Sequence, residues 1–228
     1  MESRRALPDF MKITITYFLD VISSWCFWAE PTWAELKRRY DGKVEFGWKI
    51  ALMDPSGLPT SRAQEEWFYR RSGMIMRSPF ILSSAWYEPI LPEYLAPNLM
   101  AEAAKDFGIS DDRVRLALST AGLREGKRFG EWEVAAEIGA RASGIDKNKL
   151  LERSRSSEVE ARARASTAEF KGLQVTQRPT FLIDTEIGDR AVFSGFARVG
   201  PLSCAIDSML DDAEQYAAHA AHFGSPPP

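Results

Sequence analysis

The order in which strand and helix signals follow one another most constrains the fold of this chain. Residues 12–19 alternate and are rich in β-branched and aromatic side chains, and 44–52 gives a second strand signal. From about 55 to 172 the pattern is helical, and strand signals return only at 180–184 and 190–194. Strands this far apart in sequence form one sheet only if the intervening helices fold as a block of their own. The sequence therefore predicts an α/β fold with a large all-α insertion.

Several helices are predicted around and within this arrangement. One follows the first strand at about 25–39, and strand, helix and strand with a short return predict a parallel pair. The predicted insertion helices are 61–73, 93–107, 111–121, 126–142, 147–153 and 157–171, and the last predicted helix is 201–221. The predicted domains are 12–54 with 173–221 for the α/β part and 55–172 for the insertion, with flexible termini at 1–11 and 222–228.

The motif Ser-Ser-Trp-Cys at 23–26 lies between the first strand and the helix that follows it. A helix start carries about half a positive charge and unpaired N–H groups, so it stabilises an anionic sulfur or oxygen. The spacing fits a pair of redox cysteines, but Ser23 occupies the first position, so no disulfide can form within the motif. Simple dithiol–disulfide exchange is therefore not expected.

Composition and charge exclude several classes of function. The chain has 228 residues and a net charge of −3, which gives no basic stripe for a nucleic acid partner. No apolar run approaches the roughly 20 residues of a membrane span. The start at 1–9 lacks the apolar core of a secretory signal, and two cysteines give no disulfide framework. We expect a cytoplasmic protein with neither a nucleic acid nor a membrane partner.

The two histidines remove further mechanisms. His219 and His222 lie three residues apart near the C-terminus, where two exposed side chains on a fraying helix are expected. A Ser-His-Asp or Cys-His arrangement needs a histidine at the nucleophile, and a zinc site needs more histidine or cysteine than the chain offers. No metal site is predicted.

Two segments resemble one superfamily. The strand end and turn at 18–27 resemble the active-site segment of the DsbA-like thioredoxin superfamily, and 175–181 resembles its Val-Thr-x-x-Pro-Thr-Phe segment. The proline of that segment is cis and lies against the active-site turn, which here implies a cis Pro179. Together with the helical insertion the resemblance spans about 12–215. It implies a thioredoxin-like fold of order β-α-β … β-β-α with a large all-α insertion.

Two branches of that superfamily compete. The glutathione-using branch of kappa-class glutathione transferases and 2-hydroxychromene-2-carboxylate isomerases has Asp-x-x-Ser-Pro-x-Ser at the turn. Asp20 and Ser23 match that pattern, whereas Ser24 and Cys26 depart from it. Dithiol oxidoreductases have Cys-Pro-x-Cys there, which Trp25 and Cys26 fit. In the first branch Ser23 would sit beside the glutathione sulfur.

The resemblance also implies a cofactor and the residues that would bind it. The glutathione-using branch has Gly-x-Asp-Arg after its last strand, and the matching stretch here is 195–198. Ala197 replaces the acidic residue, which counts against glutathione as the cofactor. The candidate cofactor-binding residues are Ser24, Trp25, Arg178, Pro179, Gly195 and Arg198, and the candidate catalytic residues are Ser23 and Cys26.

Each candidate side chain has a simpler alternative role. Ser23 is either only a helix cap or a hydroxyl that donates to a thiolate or oxyanion. Cys26 is either a buried structural thiol or a lone thiol that forms mixed disulfides and depends on external glutathione to resolve them. Arg178 is either a solvated surface residue or a clamp for a carboxylate or phenolate. Cys204 is expected in the core beside the apolar stripe of the last helix.

The leading functional hypothesis is a glutathione-using isomerase or transferase acting on an aromatic or conjugated small molecule. The aromatic residues of the insertion are expected mainly in the core, and those lining a cleft would favour a flat substrate: Trp67, Phe68, Tyr69, Trp86 and Tyr87. A thiol-disulfide oxidoreductase working through Cys26 is the first alternative, and a non-catalytic binding protein with a plugged cleft is the second. The assembly stays open, with a homodimer as one alternative.

Overall fold

The computed structural model describes residues 12–91, 93–195 and 198–224. The strands are β1 (Ile13–Leu19), β2 (Val44–Ile50), β3 (Thr180–Thr185) and β4 (Arg190–Ser194). The helices are α1 (Ser24–Arg39), α2 (Arg62–Met76), α3 (Leu95–Ala104), α4 (Arg113–Ser119), α5 (Trp132–Ser143), α6 (Lys147–Ser154), α7 (Ser157–Gly172) and α8 (Val199–Phe223). This is the predicted order of a thioredoxin-like α/β fold with an all-α insertion.

The contacts of the chain divide it into two compact units. The sheet unit contains the described residues of 12–18, 29–48 and 179–224. The helical unit contains those of 19–28 and 49–178. The Ser-Ser-Trp-Cys turn therefore clusters with the helices of the insertion, although it follows β1 in sequence. The predicted domain boundaries stay a prediction.

The sheet unit is built on four strands in the order β2-β1-β3-β4. β3 runs antiparallel to β1, with Tyr17 opposite Phe181, and β4 runs antiparallel to β3. The two rings stack at 4.7 Å between centroids, and Trp33 of α1 lies 5.2 Å from Tyr17. The prediction that the first strand lies beside 180–184 is confirmed. A buried aromatic cluster holds β1, β3 and α1 together.

Helix α8 also belongs to the sheet unit. Its stripe of Leu202, Ile206, Met209 and Leu210 is buried, as predicted. Cys204 is exposed, so the expectation of a core position was wrong. It lies two residues after Leu202, which places it about 200° around the helix from the buried stripe.

The helical unit is organised around α3, in which every residue from Ala96 to Ala104 is buried. α3 packs against α4, α5, α6 and α7. The six predicted insertion helices are all present, but the one expected at 126–142 begins only at Trp132. Gly126 has a φ of +71°, a left-handed conformation that a helix cannot continue through. The last helix runs to Phe223, beyond its predicted end at 221.

No helix in the described ranges combines the length and the apolar character needed to cross a membrane. Within the same ranges, no cluster of three or more histidine, cysteine or acidic side chains could hold a metal ion. Residues 1–11 and 225–228, which fall in the predicted flexible termini, lie outside the described residues.

Candidate functional site

Ser23 lies at the start of α1 as the residue that caps it. Its hydroxyl oxygen accepts a hydrogen bond from the backbone N–H of Cys26 at 3.3 Å. Its own N–H donates to the carbonyl of Asp20 at 3.0 Å, which closes the turn. The side chain is 7% exposed. Ser23 is therefore a helix cap, and the same hydroxyl stands at the positive end of the helix dipole.

The buried carboxylate of Asp20 fixes the turn through hydrogen bonds. One carboxylate oxygen accepts from the N–H of Ile22 at 3.0 Å and from Asn98 Nδ2 at 2.7 Å. The other accepts from the N–H of Met53 at 2.7 Å. The amide oxygen of Asn98 accepts in turn from the N–H of Val21 at 2.9 Å. One carboxylate thus ties the turn, the loop after β2 and α3 into one network.

Arg178 lies over the loop after β2. Its Nε donates to the carbonyl of Ala51 and its Nη2 to that of Leu52 at 2.5 Å, while the guanidinium stacks on Phe170 at 4.5 Å. Burial raises the pKa of Asp20 above its ordinary value, and the hydrogen bonds and the charge of Arg178 act in the opposite direction. Two of the donors of Arg178 are thus committed to the chain itself, which gives it a positioning role in this loop.

A cavity of about 350 Å³ opens beside Ser23, entirely within the helical unit. We call it the Ser23 cavity. Its lining residues come from the turn, the loop after β2, helix α2 and the segment before β3: Ile22, Ser23, Ser24, Trp25, Met53, Asp54, Ser56, Gly57, Pro59, Glu65, Phe68, Arg71, Trp86, Thr176, Gln177 and Arg178. The predicted site residues Ser23, Ser24, Trp25 and Arg178 thus share one cavity.

Cys26 does not line the Ser23 cavity. It lies in the first turn of α1 and is 3% exposed. Both cysteines of the chain lie in its described part, and neither is in a disulfide. The position that reaches the cavity from the turn is held by Ser23, with Ser24 and Trp25 beside it.

The other predicted cofactor-binding residues belong to the sheet unit. The N–H of Gly195 donates to the carbonyl of Pro179 at 2.8 Å, and Gly195 has a φ of +86°, which favours glycine. Arg198 is exposed and caps the start of α8. Ala197 lies outside the described residues, and the cis conformation of Pro179 stays a prediction.

Three charged residues of the Ser23 cavity were missed by reasoning from the sequence: Asp54, Glu65 and Arg71. Glu65 of α2 is 6% exposed, and burial raises its pKa to about 7, opposed only by a hydrogen bond with Tyr69. Arg71, two turns further on, is exposed and lies 5.1 Å from the ring of Phe68. The available signal was the spacing of Glu65, Tyr69 and Ser72, which places a carboxyl on the buried face of α2.

The aromatic residues of the insertion divide between core and cavity. Tyr69 and Trp86 are buried, as expected for most of them, and the indole N–H of Trp86 donates to the hydroxyl of Tyr69 at 2.8 Å. Phe68 and Trp86 line the Ser23 cavity. Trp67 is 56% exposed, so it is not a core residue.

Comparison with known proteins identifies the fold. No family model matches the chain, and no curated protein matches its sequence. Solved structures do match. A proposed protein disulfide isomerase from Nitrosomonas europaea gives a TM-score of 0.69 at 18% identity, over 88% of this chain and 98% of that one. The cytosolic disulfide reductase DsbM from Pseudomonas aeruginosa gives 0.65 at 19% identity, over 90% and 98%.

A third neighbour is more distant. The DsbA of Pseudomonas aeruginosa gives a TM-score of 0.56 at 17% identity, over 91% of this chain and 86% of that one. The matches cover between 86% and 98% of the three solved chains. The protein therefore has a DsbA-like thioredoxin fold with a helical insertion, as the resemblance of its two motifs implies.

Proposed function

We propose that this protein is an enzyme that binds glutathione in the Ser23 cavity and uses it in an isomerisation or transfer on an aromatic or conjugated small molecule. The observation that carries the proposal is the different accessibility of Ser23 and Cys26 from the cavity. Ser23 lines the cavity at a helix start, whereas Cys26 is buried and does not line it. A reactive cysteine has to be accessible and ionised, so the geometry favours a thiol supplied from outside the chain.

The residues of the cavity suit glutathione. When bound, glutathione supplies a thiolate as nucleophile. Ser23 and the start of α1 would stabilise the negative sulfur, since the hydroxyl can donate and the dipole is positive there. Arg71 would bind a carboxylate of the tripeptide, because it forms no ion pair within the described part of the chain. A second structure of DsbM is of that protein with glutathione, which supports the same ligand on this fold.

The cavity also suits a flat apolar substrate. Trp25, Phe68 and Trp86 contribute aromatic surface to its wall. Aromatic rings bind conjugated molecules by stacking, and the few polar groups around them fix the orientation. We therefore extend the proposal to an aromatic or conjugated substrate beside Ser23.

The proposal is tested by comparing two variants. Ser23→Ala should lower glutathione-dependent turnover of an activated aromatic halide, 1-chloro-2,4-dinitrobenzene, by about 10²-fold or more if the hydroxyl donates to developing charge. Cys26→Ser should keep most of the activity. Titration calorimetry with millimolar reduced glutathione gives the affinity of each variant directly. Absence of binding to the wild-type protein would overturn the proposal.

The reverse ranking would establish the thiol-disulfide oxidoreductase instead. Two of the structural neighbours are named as a proposed disulfide isomerase and a disulfide reductase, which supports keeping that alternative as the second candidate. In that case Cys26→Ser would be inactive and Ser23→Ala tolerated. Mass spectrometry of the protein after incubation with oxidised glutathione would then show a mixed disulfide that Cys26→Ser cannot form.

A further inference from the structure

Two carboxyl groups line the Ser23 cavity, and their surroundings differ. Asp54 accepts a hydrogen bond from Lys171 Nζ at 2.8 Å, and this bond holds the pKa of Asp54 below its ordinary value. Glu65 is buried and forms no ion pair with any described residue. Asp54 therefore stays ionised at neutral pH, whereas Glu65 can exchange a proton there. Paired carboxyls with such divergent surroundings are typical of acid–base sites.

Glu65 lies in the wall of the cavity, one turn before Tyr69 on α2. The Tyr69 hydroxyl acts on the Glu65 carboxyl as a hydrogen-bond donor and so lowers its pKa, against the effect of burial. The hydroxyl of Tyr69 accepts from Trp86 Nε1 at 2.8 Å, so its own proton is directed to Glu65. Tyr69 is fully buried. The carboxyl thus has a fixed position, with one face toward Tyr69 and the other toward the cavity that Ser23 also lines.

We propose that Glu65 is the general acid–base of the Ser23 cavity, a role that rests on the glutathione-using function proposed above. Glu65 takes the proton of the thiol: the S–H bond breaks, a bond from that hydrogen to a carboxylate oxygen forms, and the electron pair stays on sulfur. The protonated Glu65 then returns the same proton to the carbon or oxygen atom of the substrate that gains negative charge. In an isomerisation or an addition the cycle conserves the proton. In the displacement on 1-chloro-2,4-dinitrobenzene, chloride leaves with the electron pair of its bond to carbon, and Glu65 loses the proton to solvent.

The protonation behaviour of Glu65 suits this role. Its pKa of about 7, raised by burial, leaves comparable amounts of acid and base at neutral pH. Besides Asp54, the titratable or charged groups around it are Tyr69 and Tyr94 together with Arg71 and Arg178 of the cavity lining, and burial raises the pKa of both tyrosines. Neither tyrosine therefore competes for the proton near neutral pH. Tyr69 and Trp86 act as positioning residues.

The test measures where the thiol proton goes when reduced glutathione binds to the full chain. The ultraviolet absorbance of the thiolate reports ionisation of the sulfur. Calorimetry in two buffers of different ionisation enthalpy reports the protons released to solvent. At about pH 8, where Glu65 is mostly ionised before glutathione binds, we expect the wild-type protein to form thiolate while releasing well under one proton per glutathione bound, because the negative charge of the thiolate raises the pKa of Glu65 and keeps the proton on it.

Two variants of α2 give the comparison. Glu65→Gln keeps the size and the hydrogen bond to Tyr69 but cannot accept a proton, so any thiolate it forms should release about one proton, and its turnover should fall by about 10²- to 10⁴-fold. Glu66→Gln is the matched control, since Glu66 is the next residue of α2 and does not line the cavity. It should behave as the wild-type protein does.

The outcomes separate the two proposals. Thiolate formation with release of a full proton by the wild-type protein would overturn the role of Glu65 and leave glutathione binding intact. Binding without thiolate formation would overturn it as well. Absence of binding would overturn the proposed function, and the role of Glu65 with it.

A measurement without substrate keeps the role of Glu65 testable if Glu65→Gln does not fold. NMR of the glutamate carboxyl carbons in the wild-type protein should show the Glu65 carboxyl titrating near pH 7. Tyr69→Phe should raise that pKa further, because the Tyr69 hydrogen bond lowers it. A Glu65 carboxyl that titrates near its ordinary value of 4.5 would overturn the acid–base role.

Discussion

The helical unit contains two buried carboxyl groups whose surroundings make them different kinds of residue. Asp20, below the turn, is 2% exposed, and Glu65, on α2, is 6% exposed. Burial raises the pKa of both. Asp20 accepts hydrogen bonds from Ile22, Met53 and Asn98, whereas a single bond with Tyr69 opposes the effect of burial at Glu65.

The difference shows that burial alone does not assign a carboxyl its role. Three N–H donors from three segments use both oxygens of Asp20, so its removal leaves several buried donors unpaired. Glu65 has capacity left and faces a cavity, so it can give or take a proton there. We infer that Asp20 stabilises the turn and that Glu65 carries out its chemistry beside it.

We expect the largest effect on stability when the hydrogen bonds of Asp20 are removed. Asp20→Ala removes three hydrogen bonds and leaves their buried donors without an acceptor, so the free energy of unfolding should fall by about 3–5 kcal/mol. Urea denaturation followed by tryptophan fluorescence measures it. Asp41→Ala, at an exposed aspartate after α1, should change stability by less than about 0.5 kcal/mol. A loss under about 1 kcal/mol at Asp20 would show that its hydrogen bonds do not stabilise the turn.

The second effect is the pH dependence of stability that the raised pKa of Glu65 causes. A carboxyl with a higher pKa in the folded protein binds its proton more tightly there, so stability falls as the pH rises from its ordinary value of 4.5 to about 7. The shift corresponds to about 3 kcal/mol, since one pKa unit is worth about 1.4 kcal/mol. Glu65→Gln should lack this part of the decline, measured by urea denaturation over the same pH range.

The contribution of Asp20 has the same sign and is present in both proteins, so it cancels in the difference between them. Glu66→Gln again provides the control and should follow the wild-type curve. Parallel curves for the wild-type protein and Glu65→Gln would show that Glu65 has an ordinary pKa, which would remove the contrast with Asp20.

Much of the fold could be predicted because it depends on local signals. Alternation located β1, and the turn before 190–194 located β4. Helical segments with cap signals located all six insertion helices, and the order of strands and helices predicted the sheet with its insertion. The start of α5 was placed six residues too early, because nothing in the periodicity of 126–131 excludes a helix. Cys204 was misplaced because its neighbours in sequence lie on the other face of α8.

The site could be predicted only where it is local. Ser23 as the cap of α1 follows from a serine between a strand and a helix. The hydrogen bond between Asn98 and Asp20 could not be predicted, because the two residues are 78 positions apart and no sequence pattern links them. Glu65 lies in the first turn of α2, where the helix dipole favours an acidic residue. This common surface role explains the residue in the sequence, so nothing there indicated that Glu65 is buried.

The smallest effect separates capping from chemistry at Ser23. Ser23 accepts from the N–H of Cys26 at 3.3 Å, and Ser156, the cap of α7, accepts from that of Val159 at 3.4 Å. Replacing either serine with alanine should therefore lower the free energy of unfolding by about 1 kcal/mol, measured by thermal denaturation. Only Ser23→Ala should also weaken glutathione binding, because Ser156 does not line the cavity. Equal affinities in the two variants would mean that Ser23 acts only as a helix cap. The contrast between Asp20 and Glu65 would then remain, but no hydroxyl group would stabilise the sulfur beside Glu65.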